Sequence, residues 1–185
     1  MHRGGDYPNY RGMAEAKAFP PAKLIVGLIA SGSAVFERAE AALVSLYGPV
    51  DLRSPAFPFD ATDYYEKQMG PGLERRFLSF ADLVPPDRLA AIKLRTNALE
   101  DEIGRGGAGR RLVNIDPGIL TGSALIMATA KDFAHRVPLS GGIYAHLELL
   151  FGKEGVRCLD WTYPDFRRPE YRDFFLEARR IGLAQ

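Results

Sequence analysis

The sequence predicts an α+β fold, in which a ferredoxin-like antiparallel sheet is extended by additional strands and followed by a C-terminal helix. Over the first two thirds of the chain the patterns run strand, helix, strand and then again strand, helix, strand. In the last third the strands cluster before one final helix, whereas a doubly wound fold would keep alternating strands and helices. With 185 residues, the chain is long enough for one domain, which we place at residues 21–185 after a flexible tail at 1–20.

The first strand–helix–strand unit begins with Lys23–Ala30, whose β-branched and leucine-rich composition predicts a buried strand. Apolar residues at helical spacing from Val35 to Leu46 predict a helix, with Ser33 as its N-cap and Gly48-Pro49 as its stop. Residues 50–59 then form a second strand, and the two prolines in this stretch favour an edge or a bulge.

The second unit begins with a strand at Leu73–Val84. Pro85-Pro86-Asp87 is typical of a helix first turn, and apolar positions from Leu89 to Ile103 predict the helix that follows, ending at Gly104. The connector at 104–109 matches the spacing G-x-G-x-x-G. It follows a helix and precedes a strand, however, whereas a dinucleotide-binding loop follows a strand and opens a helix, so we interpret it as a connector.

The last third contains several short strands. The predicted strands are Arg111–Ile115, Ala124–Ala130, Ile143–Phe151 and Val156–Leu159. A hairpin is predicted at Gly152–Gly155, between the last two of them. A final amphipathic helix begins at about Pro169, and its inward-facing residues are predicted to be Tyr171, Phe174, Phe175, Ala178 and Ile181.

Composition limits the classes of partner. A formal net charge of +1 gives no field that would attract nucleic acid, so there is no strong nucleic-acid signal and any anion site has to be local. The single cysteine, Cys158, excludes an intramolecular disulfide and fits a cytoplasmic protein. Because the apolar stretches Leu24–Ala30 and Ile119–Ala130 are short or interrupted by polar residues, we expect no membrane partner.

One short segment gathers acidic and aromatic residues. Asp60, Asp63 and Glu66 recur at every third position, so a turn entering a short helix would bring their carboxylates together beside Tyr64 and Tyr65. Three neighbouring carboxylates favour a bound cation or a raised pKa on one of them, and oxygen ligands suit Mg or Mn. In the structural alternative, Asp60 is a helix N-cap and Asp63 lies in the first turn. Both interpretations stay open.

Two further polar groups follow predicted strands. Asn114 and Asp116 lie two residues apart and share one strand face, although the Pro-Gly after them is typical of a turn. Lys131, His135 and Arg136 follow the next strand. His135 has the chemistry of an acid or base near neutral pH, and Arg136 that of a phosphate ligand. The alternative for His135 is a side chain held by local hydrogen bonds.

The second predicted helix carries Lys93, Arg95 and Asn97. Lys93 and Asn97 are four residues apart and form one polar stripe, which together with Arg75 or Arg76 would complement a phosphate or carboxylate. The alternative is an ordinary solvated helix face.

Two polar segments are expected to be structural. Tyr144, His146 and Glu148 alternate along a predicted strand, which is typical of a solvated face. Trp161–Asp165 is typical of a packing and turn segment.

The chain resembles an uncharacterised bacterial and archaeal family, domain-of-unknown-function family number 4416, over nearly all of residues 20–182. The resemblance includes Gly70-Pro-Gly-Leu and further motifs at Pro58–Tyr65, Arg76–Phe80, Ile92–Asn97, Asn114–Gly118, Lys131–Arg136 and Trp161–Asp165. It implies no catalytic role, since the family's activity is unknown, and Gln68 stands where similar chains are expected to have an acidic residue.

Two functions are compatible with these groups. The first is an enzyme acting on a small phosphorylated or nucleotide-like ligand with a divalent metal, and the alternative is a non-enzymatic ligand- or protein-binding regulatory module; RNA binding ranks third. The candidate catalytic residues are Asp60, Asp63, Asp116 and His135, and the candidate metal ligands are Asp60, Asp63, Glu66 and Asp116. The candidate ligand-binding residues are Tyr64, Tyr65, Arg75, Arg76, Lys93, Arg95, Asn97, Asn114, Lys131 and Arg136.

Overall fold

The computed structural model describes residues 15–60, 64–105 and 111–185 of the chain. Its strands are β1 (Ala22–Ala30), β2 (Val50–Arg53), β3 (Phe57–Pro58), β4 (Glu74–Val84), β5 (Val113–Leu120), β6 (Ala124–Thr129), β7 (Val137–Pro138), β8 (Tyr144–Gly152) and β9 (Gly155–Cys158). Its α-helices are α1 (Ser33–Tyr47), α2 (Glu66–Met69), α3 (Leu89–Arg105) and α4 (Pro169–Leu183). Short 3-10 helices at Pro86–Arg88 and Asp165–Arg167 precede α3 and α4.

The strands of the described residues form one antiparallel sheet with the order β2-β4-β1-β5-β6-β8-β7. The short strand β3 pairs with β4 next to β2, and β9 pairs with β8 next to β7. The predicted class is therefore confirmed: the protein is α+β, with a large antiparallel sheet and a C-terminal helix. Within the described ranges, none of the helices combines the length and apolar character that a bilayer crossing requires.

The central strand β1 is buried on both faces of the sheet. Because side chains alternate along a strand, Leu24, Val26 and Leu28 point to one face, where they pack with α1 and α3. Ile25 points to the other face, which is covered by α4. This explains why the sequence of β1 is a nearly continuous apolar run rather than an alternating one.

Half of the buried residues in the core under α4 are aromatic. The ring of Phe77, on β4, lies 4.8 Å from Tyr171, 5.0 Å from Phe175 and 5.6 Å from Phe166 between centroids. Burial of one such side chain contributes roughly 1.5–3 kcal/mol. The predicted inward face of α4 is confirmed for the four fully buried residues, whereas Ile181 is only partly buried.

Two helix boundaries differ in detail from the predictions, and one agrees with them. Gly32, with φ of 84°, is the N-cap of α1, and Ser33 makes no capping hydrogen bond, so the prediction of Ser33 as N-cap was wrong. The stop at Gly48 is confirmed, since its N–H donates to Val44 O. Helix α3 continues past Gly104 to Arg105, and the predicted connector that follows lies largely outside the described residues.

Strand β5 contains the main error of the sequence prediction. The predicted strand ended at Ile115 before an Asp-Pro-Gly turn, but β5 runs straight through Pro117 and Gly118 and pairs with β1 along its whole length. Pairing with β6 covers only Gly118–Leu120, so Pro117 lies where β5 has one paired neighbour and the missing N–H is tolerated. The long-range pairing with β1 therefore overrides the local turn preference.

Strand β8 contains a bulge. Its partners on β6 shift at Leu125/Ile126, where Leu149 and Leu147 face successive residues and Glu148 is the extra residue between them. Such bulges re-aim a side chain. Here the carboxylate of Glu148 is fully buried beside His146 rather than solvated.

Candidate functional site

A cavity of about 630 Å³ lies where β5 and β6 are no longer paired. Asn114 and Asp116 line it from β5, and Thr129 and Lys131 line it from the end of β6 and the residues after it. Because β6 does not pair with this part of β5, Lys93 reaches the same space from α3. The volume is that of a small-molecule site.

Asp116 is the central carboxylate of the cavity. Its Oδ1 lies 3.2 Å from Lys93 Nζ, which also donates to Ile115 O at 2.8 Å. Its Oδ2 accepts a hydrogen bond from Asn114 Nδ2. Burial alone would raise the pKa of Asp116, but Lys93 and Arg75 outweigh it and hold that pKa below its usual range. Asp116 is therefore an anion that orients its neighbours.

A second carboxylate extends this chain of contacts away from the cavity. Glu100 Oε2 accepts from Arg111 Nη2 at 2.6 Å, and Glu100 Oε1 accepts from Ile115 N at 2.7 Å. Arg111 Nη2 also donates to Asn114 Oδ1. Burial raises the pKa of Glu100, while Lys93 and Arg111 partly offset that rise. The network holds Arg111 and Asn114 at the cavity wall.

Arg75, on β4, is a buried cation that also lines the cavity. Its Nε lies 3.3 Å from Asp165 Oδ2, and neither side chain makes a hydrogen bond to any described residue. The guanidinium lies 5.0 Å from the ring centroid of Phe59 and 5.4 Å from that of Phe166. Burial would lower the pKa of Arg75, but Asp165 and the more distant Asp116 raise it overall, so it stays charged.

Tyrosines form a further wall. Arg111 lies over the Tyr65 ring with 5.5 Å between the guanidinium carbon and the centroid, and Lys131 Nζ lies 3.9 Å from the centroid of Tyr64. Burial, followed by the charge of Asp116, raises the pKa of Tyr65, which is therefore a neutral hydroxyl near neutral pH. Aromatic faces beside cations suit a flat, anionic ligand.

The rim of the cavity at β8 is held by a second polar network. Arg136 donates from Nε to His146 Nδ1 at 3.2 Å and from Nη2 to Tyr163 Oη at 2.7 Å. Because His146 Nδ1 accepts, its Nε2 carries the proton and faces Glu148 Oε2 at 2.7 Å. Glu148 Oε1 accepts from Tyr163 N at 2.7 Å. These contacts tie the segment after β6 to the loop that precedes α4.

The structure brings about half of the predicted site residues together. The predicted residues that line the cavity are Tyr64, Tyr65, Arg75, Lys93, Asn97, Asn114, Asp116 and Lys131. Four other predicted residues do not line the cavity. Arg76 lies over the Phe36 ring, and Arg95 pairs with Glu102. His135 and Arg136 both contact Nδ1 of His146. The His135 ring stacks on Trp161 at 5.0 Å, and partial burial, followed by His146 and Arg136, lowers its pKa.

The predicted metal ligands are not gathered in the part of the chain that the structure describes. Asp63 lies outside the described residues, and Asp60 is an exposed side chain that pairs with Arg168. Glu66 begins the short helix α2, whose N-cap is Tyr65 rather than Asp60. Among the described residues, no three His, Cys, Asp or Glu side chains are placed to hold one metal ion.

Several cavity residues were not predicted from the sequence. These residues are Phe59, Arg111, His146, Tyr163, Asp165 and Phe166. The solvated face expected for His146 and Glu148 was wrong, because both are buried in the structure. The density of aromatic and acidic residues in Trp161–Asp165 was the one local signal that could have indicated the loop before α4.

The fold and the site together define an α+β protein whose antiparallel sheet opens into a cavity rich in cations and aromatic rings. The chain belongs to the family described as Domain of unknown function (DUF4416), whose model matches residues 20–181. This confirms the resemblance seen in its motifs. No curated protein and no solved structure matches the chain.

Proposed function

We propose that the cavity binds a small anionic ligand of the phosphorylated or nucleotide-like class. The observation that carries this proposal is the convergence of four cations from four separate parts of the chain. These are Arg75 on β4, Lys93 on α3, Arg111 before β5 and Lys131 after β6. Cations presented from several directions, with aromatic walls, recognise phosphate or carboxylate groups through charge-assisted hydrogen bonds.

The alternative is that these cations serve only to neutralise buried carboxylates. Lys93 and Arg111 do pair with Asp116 and Glu100, so part of the charge is structural. Arg75 also pairs with a buried carboxylate, that of Asp165, but neither side chain of this pair makes a hydrogen bond to any described residue. Lys131 is exposed, and its ammonium group lies over a tyrosine ring at the cavity wall rather than beside a carboxylate of the described residues. The set therefore supports a ligand better than a purely structural network.

An enzymatic function would use Lys93 and Asp116, the charged pair that faces the cavity. The lowered pKa of Asp116 suits a carboxylate that orients a ligand better than one that removes a proton. Binding is thus the function that the geometry supports best, either as part of a reaction or as a regulatory module. A divalent Mg or Mn ion at the predicted carboxylates remains a separate proposal, tested by the same binding panel.

The proposal also includes the topology of the first part of the sheet and the cellular location of the protein. We take the unit from β1 to β5 to be ferredoxin-like, because α1 and α3 connect strands in the order β2-β4-β1-β5. A cytoplasmic location is consistent with the single free cysteine, Cys158.

Thermal unfolding of the purified chain tests the proposal with nucleoside phosphates, sugar phosphates and inorganic phosphate, each with and without magnesium. A ligand at about 100 times its Kd adds roughly 2.7 kcal/mol, which shifts Tm by several degrees. Lys131→Gln and Arg111→Gln should each reduce this shift. Arg95→Gln is the matched control, because that arginine pairs with Glu102 away from the cavity.

Stabilisation by one class of anion that Lys131→Gln weakens and Arg95→Gln leaves unchanged would support the proposal. Equal weakening by both variants would assign the effect to general charge. No stabilisation by any anion would contradict the proposal and favour a protein-binding module.

A further inference from the structure

Arg75 and Asp165 differ from the other charged pairs of the cavity. Lys93, Asp116 and Arg111 are held by several hydrogen bonds each. The side chains of Arg75 and Asp165 are each about 5% exposed and contact each other at 3.3 Å, without a hydrogen bond to any described residue. Buried polar groups rarely lack partners, so the hydrogen-bonding capacity that this pair keeps on the side of the cavity points to a ligand that uses it.

Each residue of this pair has one polar atom that is not fully enclosed. Arg75 Nε and Nη1 are fully enclosed, as is Asp165 Oδ2, so Nη2 and Oδ1 are the atoms left to face the cavity that both residues line. The protein thus offers a hydrogen-bond donor next to an acceptor. The matching group on a ligand is an acceptor next to a donor, as on the edge of a nucleobase or a carboxamide, and a phosphate or carboxylate at neutral pH lacks the donor.

The surroundings of this pair fit a flat and weakly polar group. Phe59 and Phe166 lie against the guanidinium at 5.0 and 5.4 Å. Strand β1 has a glycine, Gly27, beside this guanidinium. A Cβ on Gly27 would lie 3.0 Å from Arg75 Nη1 and 3.2 Å from the Phe77 ring. The glycine therefore permits a close approach of the guanidinium to the sheet.

The cavity has a second, strongly cationic end. In the register of the sheet, Arg75 and Asn114 flank Ile29 of β1 from opposite sides, so they are two strand spacings apart, or about 10 Å. Asn114 contacts Arg111 directly and is linked to Lys93 through Asp116. A nucleoside phosphate can bridge this distance, whereas inorganic phosphate cannot.

We propose that Arg75 and Asp165 bind the heterocyclic edge of a nucleoside phosphate, with Arg75 donating to a ring acceptor and Asp165 accepting from the neighbouring ring N–H. The phosphate lies at the other end of the cavity, against Lys93, Arg111 and Lys131. This inference rests on the proposed function and narrows its ligand class from small anions to those that carry a nucleobase-like ring.

Calorimetric titration with the four ribonucleoside 5′-monophosphates and with ribose 5-phosphate tests this inference. On the wild-type chain, at least one of the monophosphates should bind about tenfold or more tightly than ribose 5-phosphate, because only the monophosphates carry a ring that can pair with Arg75 and Asp165. Asp165→Asn, which replaces one acceptor by an amide, should remove most of this preference. It should not weaken the binding of ribose 5-phosphate, because it removes a negative charge from the cavity.

The possible results separate the binding of a heterocyclic ring from the binding of an anion. Ribose 5-phosphate binding as tightly as all four monophosphates would overturn the inference and leave the proposed function standing. Failure of all five compounds to bind would contradict the inference and weaken the proposed function, which the wider anion panel then decides. If Asp165→Asn does not fold, the wild-type comparison still decides, and Arg75→Lys provides a second variant that keeps the charge but loses the planar donor edge.

Discussion

Replacing Lys93 by methionine is the perturbation whose size the structure defines best. The change keeps the length and apolar stem of the side chain but removes a buried ammonium that contacts Asp116, Ile115 O and, at 4.0 Å, Glu100. Breaking a buried pair costs about 3–5 kcal/mol. Asp116 is about 25% exposed and keeps its hydrogen bond from Asn114, so we expect the low end, about 3 kcal/mol. For a chain of this size that is a fall in Tm of roughly 6–12 °C.

The loss from Lys93→Met should depend on pH. Lys93 lowers the pKa of both Asp116 and Glu100, so its removal lets both values rise. In the wild type the folded pKa of Asp116 lies below its unfolded value, so its stabilising contribution is present at pH 7 and is lost only as the pH falls through that low folded pKa. In the variant the pKa values of both carboxyl groups rise, so protonation near pH 4 relieves the cost of leaving them charged without Lys93. The difference in the free energy of unfolding between variant and wild type should therefore be largest near pH 7 and smaller near pH 4.

Urea denaturation at both pH values measures this difference. Lys153→Met, in the exposed turn of the β8–β9 hairpin, is the matched control and should change stability by less than about 0.5 kcal/mol. A loss below about 1 kcal/mol at pH 7 would contradict a buried ion pair at Lys93, because that is the range of a surface pair. An equal loss at both pH values would show that the loss does not come from the charges of the two carboxylates.

Three further results are expected. Gly27→Ala should lower the free energy of unfolding, measured by urea denaturation, by about 1–3 kcal/mol, because the new Cβ would lie against the Phe77 ring and the Arg75 guanidinium. Gly152→Ala is the control and should be close to neutral, since its Cβ would lie more than 4 Å from any described atom outside the two adjacent residues. Equal effects of the two substitutions would contradict the close approach at β1. Phe77→Ala should lower the free energy of unfolding by about 3–5 kcal/mol in the same measurement. Phe133 is 63% exposed, so Phe133→Ala should lower it by less than about 0.5 kcal/mol. A small loss for Phe77→Ala would show that the core under α4 is not packed as described. Burial raises the pKa of Tyr171 to about 12, so stability should fall as the pH rises from about 10 to 12, and Tyr171→Phe should flatten that decline; an unchanged slope would place the ionising groups elsewhere.

The order of the elements could be predicted from the sequence because it depends on local patterns. The apolar run of β1 and the two-residue turn of the β8–β9 hairpin both follow from neighbouring residues. The extension of β5 through Pro117 could not be predicted, since it depends on pairing with β1, a strand far away in the sequence. The burial of Glu148 depends in the same way on a bulge, which only the pairing of β8 with β6 creates.

The candidate site was predictable only in part, for a related reason. Spacing identified Lys93, Asn114 and Asp116 because each lies on a regular element whose faces can be read from the sequence. The carboxylate spacing around Asp60 was local as well, yet in the fold this side chain pairs with Arg168, which no spacing rule connects to it. The partnership of Arg75 with a residue just before α4 likewise needs the tertiary structure.

Isothermal titration calorimetry with the anion that stabilises the chain most measures directly whether the cavity binds an anion. The titration compares the wild type with a Lys131→Gln/Arg111→Gln double variant and with an Arg95→Gln/Arg180→Gln control, whose arginines pair with exposed glutamates away from the cavity. We expect one site per chain, with an affinity that the double variant lowers by about tenfold or more and the control leaves within about twofold. Equal losses in the two double variants, or an affinity unchanged in both, would contradict anion binding in this cavity.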